Sequence, residues 1–236
     1  MSPIPVLSRG NLDFPKLDNA LRHPNGLIAA GGDLSTDRLI AAYSQGIFPW
    51  YEEGCPILWW SPDPRAVMFP DKFRISRSLG RLLRQNRFEV TLNTDFDAVI
   101  KACSGTRRNS SGTWITAGMK DAYMALHGIG VAHSVECYLE GKLAGGLYGI
   151  GLGRLFFGES MFYREQNASK VAFAHLASLL KTQKCPLIDC QISNPHLQSL
   201  GATSISRKRY AEYLARHITP DKAIDWLALP TRLPPW

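Results

Sequence analysis

Acidic residues and cysteines are both scarce in this chain of 236 residues. Its 20 Asp and Glu stand against 27 Lys and Arg, for a formal net charge of +7. A field of that sign speeds encounter with anionic partners such as nucleic acid, although a solvated basic surface gives the same count. The five cysteines, Cys55, Cys103, Cys137, Cys185 and Cys190, are odd in number, form no CxxC and lack histidines at zinc-finger spacing. This pattern argues against a disulfide framework and a metal site and fits a reducing compartment. No run approaches the roughly 18 apolar residues of a membrane span. The opening MSPIPVLSRGNLDFP has two early prolines and no apolar h-region. A cytoplasmic protein with no metal is expected. There is no internal repeat and no low-complexity segment.

The length and the 45% of hydrophobic residues suffice for one generous domain, or for one domain with a smaller appendage. Residues 1–64 are rich in Pro, Gly and Trp and promise a single helix. It runs from an N-cap at Ser35 through Leu39, Ile40 and Tyr43 to a stop at Gly46. Pro56, Pro62 and Pro64 argue against regular structure around ILWWSPDPR, and a boundary near Pro64 divides 1–64 from 65–236.

Beyond it, a helix over 75–86 places Ile75, Leu79, Leu82 and Leu83 on one side and Arg74, Arg77, Arg81 and Arg84 along the other. A strand FEVTL follows, then helices over 95–103 and, capped by Thr116, to about Gly128. Strands over 131–139, 142–150 and 154–162, joined by EGK and GLG, read as an antiparallel meander. A helix over 168–183, the strand LIDCQI, a short helix at Asn194-Pro195, a strand over 202–205 and a helix over 207–217 complete the pattern. The succession indicates an α/β fold with a mixed sheet.

Several residues could carry chemistry. Alternation in LIDCQI puts Ile188, Cys190 and Ile192 on a core face and Asp189 with Gln191 on the other, where they could act on one substrate group or sit in solvent. In RLFFGESMF, Glu159 falls on the face of Leu155, Phe157 and Met161. A carboxylate there requires either a bound cation or an ion pair with an arginine, and Gly158 suggests close approach of something to the backbone. Leu147, Met161, Phe173 and Leu176 could line an apolar pocket or belong to the core. In QNASK, Asn167 or Ser169 opens a helix with Lys170 in its first turn, as an anion site or as ordinary capping. The arginines from Arg74 to Arg84, without an intervening acid, suit phosphates or solvent. Trp50, Trp59, Trp60 and Trp114 are either anchors or ligand walls.

The strings PNGLIAAGGDLS, GIFPWY, ILWWSPDPRAV, GTWIT, HSVE, GGLYGI, FFGESMF, NASK and LIDCQISNPHLQSLGA occur in this order over nearly the whole chain. Together they resemble the leucyl/phenylalanyl-tRNA-protein transferase family. The resemblance implies a small N-terminal domain followed by an N-acetyltransferase-like (GNAT) domain, and no cofactor. It implies partners too: leucyl- or phenylalanyl-tRNA as donor, and a protein beginning with Arg or Lys as acceptor, the product entering N-degron proteolysis. A monomer is expected.

By the same resemblance, Gln191 positions the attacking amine with Asp189 polarising it, and Glu159 holds the substrate's ammonium or ribose hydroxyls. The aminoacyl side chain enters among Leu147, Met161, Phe173 and Leu176, with Trp50, Tyr43 and Trp114 nearby. Leu147 stands where the family has methionine, and Phe173 with Leu176 reverses a leucine and phenylalanine pair. Two rivals remain in view. An acyl-CoA N-acetyltransferase would need a glycine-containing pyrophosphate loop where this chain has REQNASK, and a noncatalytic RNA-binding module would leave Asp189, Gln191 and Glu159 without a role.

Overall fold

The computed structural model describes residues 4–105 and 115–236. Trp114 lies outside the described residues.

Two sheets form. The smaller contains β1 (Val6–Leu7), β2 (Leu27–Gly31), β3 (Phe48–Pro49) and β4 (Leu58–Trp60) in the order β1-β2-β4-β3. Only β1 and β2 are parallel. This sheet corrects the expectation that the prolines exclude regular structure around ILWWSPDPR: they sit at the end of β3 or beside β4, where no ladder donor is lost. The expected helix is α1 (Thr36–Ser44), whose Ser35 hydroxyl accepts from the Arg38 amide. Gly46 ends it at φ +76°, and a Cβ there would meet the Tyr210 ring at 2.6 Å.

The larger sheet contains β5 (Arg65–Met68), β6 (Glu89–Leu92), β7 (Ala132–Leu139), β8 (Lys142–Leu152), β9 (Leu155–Tyr163), β10 (Ile188–Gln191) and β11 (Thr203–Ile205). Its order is β11-β5-β10-β9-β8-β7-β6, and only β10 and β9 run parallel. The meander β7-β8-β9 is as expected, and the class is the expected mixed α/β one. β5 was not anticipated. It follows SPDP at once and is too short for its alternation to register.

The remaining helices are α2 (Arg77–Arg84), α3 (Phe96–Ser104), α4 (Ala117–Gly128), α5 (Ala168–Thr182), α6 (Pro195–Ser199) and α7 (Arg207–His217). Ser76 caps α2, so Ile75 precedes the helix and is 41% exposed, off the apolar side assigned to it. Two clusters of buried side chains account for the core. One joins α3 and α4 to the small sheet through Ile28, Leu39, Trp59, Ile100 and Tyr123. The other joins α2 and α5 through Leu79, Leu83, Ala172 and Leu176. Each fully buried aliphatic or aromatic side chain contributes about 1.5–3 kcal/mol.

β9 and β10 pair only at Phe156 with Ile188 and at Phe157 with Asp189. Past that point β9 continues along β8 to Tyr163 while β10 ends at Gln191. The separation of these two strands opens a cleft between them.

Candidate functional site

Each strand that borders the cleft is interrupted by a bulge where the cleft begins. In β9, Tyr148 faces Ser160 and Gly149 faces Gly158, so Glu159 is the extra residue. In β10, Asp189 faces Val67 and Gln191 faces Ala66, so Cys190 is the extra residue. A bulge breaks the two-residue alternation and re-aims the side chains after it. Both face assignments made from alternation are therefore corrected. Met161 leaves the side of Leu155 and Phe157 and joins that of Phe156. Gln191 leaves the side of Asp189 and lines the cleft with Ile188 and Cys190, while Ile192, expected in the core, is 48% exposed. No protein atom crowds Gly158, where a Cβ would lie 3.5 Å from the nearest atom, the Asp189 carbonyl oxygen, and its open side lines the cleft.

The two bulges bring Glu159 and Gln191 together, with the Gln191 Nε2 donating to Glu159 Oε1 at 2.8 Å. No arginine pairs with Glu159 among the described residues; its other partners are hydroxyls. Tyr43 reaches Oε1 at 2.8 Å, Tyr123 reaches Oε2 at 2.7 Å, and the two tyrosine oxygens are 2.7 Å apart. These three contacts close a ring that needs three protons. Two phenols supply two, and a protonated Glu159 supplies the third. Burial pushes the Glu159 carboxyl up to about 8, against the opposing pull of the Tyr123 and Tyr43 hydroxyls. Burial also raises both phenols, next to Glu159, so they remain donors. The amide oxygen of Gln191 accepts no hydrogen bond among the described residues and is left for a donor in the cleft.

Asp189 does not line the cleft. Fully buried, it accepts from Arg65 Nε and Nη2 at 2.8 and 2.6 Å, from the Tyr210 hydroxyl at 2.7 Å and from the Gln191 amide at 2.9 Å. It therefore contacts the Gln191 backbone, not its side chain, and sets a residue held at φ +60°. Burial works against the Arg65 charge, and Asp189 more than compensates, so the guanidinium is held protonated. Arg65 also donates to the Gly46 carbonyl at 3.1 Å and lies over the Phe48 and Tyr210 rings, tying the small sheet to the large one. Arg65, Tyr123 and Tyr210 were missed in the sequence. The one available signal was an arginine opening the apolar run RAVMF.

The cleft has a volume of about 980 Å³. Its apolar part is built from Leu147, Met161, Phe173 and Leu176, with Trp50 at the side of the small sheet. Tyr43 is behind this wall and reaches the site only through its hydroxyl. Asn167, Ser169 and Lys170 line the other part of the cleft at the start of α5. Ordinary capping is not what Asn167 does: it is left-handed at φ +67° and its side chain caps nothing. Arg74, Arg77, Arg81 and Arg84 do not line the cleft. They are exposed on and before α2 and make no ion pair among the described residues. Phe73, next to Arg74, meets the cleft-lining Phe173 edge-on at 5.5 Å.

Residues 67–215 match the leucyl/phenylalanyl-tRNA protein transferase family, and residues 32–63 match the N-terminal domain of the same family. The chain belongs to the leucyl/phenylalanyl-tRNA protein transferase family. Relatives of that name include one from Pseudomonas fluorescens (strain Pf0-1), 58% identical over 94% of this chain and 98% of its own. Another, from Pseudomonas aeruginosa (strain PAO1), is 60% identical over 89% of this chain and 93% of its own. Among solved structures, L-PGS from Bacillus licheniformis superposes with a TM-score of 0.39 at 14% identity, covering 75% of this chain and 55% of that one. That likeness is too remote to carry an activity across. As a member of the transferase family the chain is an enzyme, and among the described residues there is neither a cluster able to hold a metal ion nor a helix long and apolar enough to cross a membrane.

Proposed function

We infer that this enzyme transfers leucine or phenylalanine from its tRNA to the α-amine of proteins beginning with Arg or Lys, marking them for N-degron proteolysis in the cytoplasm. The observation that carries the reading is the cleft itself, which joins an apolar compartment to a carboxyl and an amide bridged at 2.8 Å. The donor and acceptor classes come from the family to which the chain belongs.

The reaction joins an amine to an ester carbon and releases a ribose oxygen. The attacking α-amine, with a reference pKa of about 8, must lose a proton, and the leaving oxygen must gain one. The free oxygen of Gln191 accepts an N–H of the amine and so orients its lone pair. Glu159, with its carboxyl raised to about 8, is matched to that amine as proton acceptor. Ionised, it leaves one contact of the tyrosine ring without a proton. Taking the amine's proton restores the ring, and the same proton then goes to the leaving ribose oxygen. Glu159 thus acts as a neutral or proton-accepting carboxyl, in place of the ammonium holder expected from the sequence. Asp189 acts as a positioning residue behind Gln191. The aminoacyl side chain occupies Leu147, Met161, Phe173 and Leu176. Asn167, Ser169 and Lys170 meet the terminal nucleotide, and the arginines of α2 meet phosphates further along the RNA.

The test uses phenylalanyl-tRNA labelled in the amino acid, mixed with peptides beginning with Arg, Lys or Ala. Label should reach the Arg and Lys peptides and not the Ala peptide. Label that never leaves the tRNA, or acetylation from acetyl-CoA, would overturn the reading.

A further inference from the structure

A second cavity, of about 620 Å³, lies away from the cleft. It is bounded by Lys72, by Lys181 and Lys184 at the end of α5, and by Thr203, Ser204 and Arg209 where β11 passes into α7. Its four cations face one carboxylate, Asp71. None of the four has an ion-pair partner among the described residues, and all are exposed.

Two features of the backbone point the same way. Helix α7 opens on Arg207, Lys208 and Arg209 with no acid in its first turn, the wrong sign for the positive end of a helix dipole. Arg207 is accounted for by the Ser61 carbonyl, which its Nη1 meets at 2.7 Å, while Arg209 turns into the groove. Lys184 follows α5 at φ +55°, a left-handed position where glycine is usual and a side chain costs about 1–2 kcal/mol. An anion in the groove offsets both costs. The exposed hydroxyls of Thr203 and Ser204 can donate to it.

The position suits the same RNA that the cleft would bind. Lys170 in the cleft and Lys181 in the groove are on one helix, about 16 Å apart at ~1.5 Å per residue. That span corresponds to about five stacked nucleotides at ~3.4 Å per phosphate. An acidic acceptor protein would reach the cleft through its N-terminus alone, with no fixed register of charge at that distance.

We propose that the groove formed by Lys72, Lys181, Lys184 and Arg209 binds the phosphate backbone of the aminoacyl-tRNA, several nucleotides from the ester. The proposal rests on the reading that the cleft accepts aminoacyl-tRNA. It is tested with the double variant Lys181→Gln/Lys184→Gln in two arms. In the first, fluorescence anisotropy with deacylated tRNA should show binding weakened roughly tenfold at low salt, and a log–log salt slope reduced by about one to two. In the second, kcat/KM for phenylalanyl-tRNA is divided by kcat/KM for phenylalanyl-adenosine, which is too short to span to the groove. That ratio should fall at least about fivefold. Unchanged affinity and slope, an unchanged ratio, or a defect confined to the acceptor peptide would each overturn the proposal. A wild type that binds tRNA but transfers nothing would sink the transferase reading instead, and the binding arm would still report on the groove.

Discussion

Burial holds the Glu159 carboxyl neutral, against the pull of the Tyr123 and Tyr43 hydroxyls. Two phenols and an amide meet it, and the three-proton ring closes only when the carboxyl is protonated. Because its folded value of about 8 exceeds the ordinary 4.5, the native state binds a proton that the unfolded chain does not. That stabilisation is present in full below about 4.5 and is lost as pH rises through about 8. The melting temperature of wild type minus that of Glu159→Gln should therefore fall steadily between roughly pH 5 and 9. A difference that is flat with pH would mean the carboxyl is already ionised. Asp189 and Arg65 present the opposite case, a charged pair with no exposure whose partners are all supplied by the fold. Removing one member strands the other, so Arg65→Met should cost ~3–5 kcal/mol in urea unfolding. Replacing both, as Arg65→Met with Asp189→Leu, should recover part of the stability but not the transfer activity, because Gln191 loses the carboxylate that fixes its backbone.

At the level of elements, the bulges in β9 and β10 bring Glu159 and Gln191 together. Gln191 is at φ +60°, a region in which glycine is at ease and a β-branched residue is not. Gln191→Gly should leave unfolding free energy within about 1 kcal/mol of wild type while transfer falls by one to two orders of magnitude. Gln191→Val should lower the melting temperature as well. If the glycine variant retains full activity, the amide has no part in orienting the amine. These bulges were not read from the sequence, since LIDCQI and RLFFGESMF alternate like any paired strand and the one local marker, Gly158 beside the β9 shift, was taken for a close approach. What was legible follows from short-range signals. Ser35, Asp95, Thr116 and Asn194 accept from amides of the helices they were expected to open. Glycine-bearing turns marked the meander. The small sheet and β5 were hidden because their strands span two to five residues among prolines, too short for periodicity to emerge. Leu147, Met161, Phe173 and Leu176 do come together in the cleft, since the helix spacing of Phe173 and Leu176 and the cross-strand pairing of Leu147 with Met161 both survive the bulge.

For the whole molecule, the two sheets meet at Arg65, which binds Asp189 on one side and the Gly46 carbonyl on the other. The small sheet thereby supplies Trp50 to the cleft and α1 supplies Tyr43 to the ring, so the site is completed only when both parts are folded together. The proposed chemistry and the proposed RNA contacts would respond to different variables, one to pH and the other to salt. The central claim, that Glu159 accepts the amine's proton, is tested most directly by kcat/KM for phenylalanyl transfer to an Arg peptide as a function of pH. In wild type, both an ionised Glu159 and a neutral amine are required, so log kcat/KM should rise with a slope near two below about pH 8. In Glu159→Gln the slope should fall to one, with the rate lower by roughly 10²–10⁴. A slope of one in both proteins, or an undiminished rate in the variant, would contradict the account.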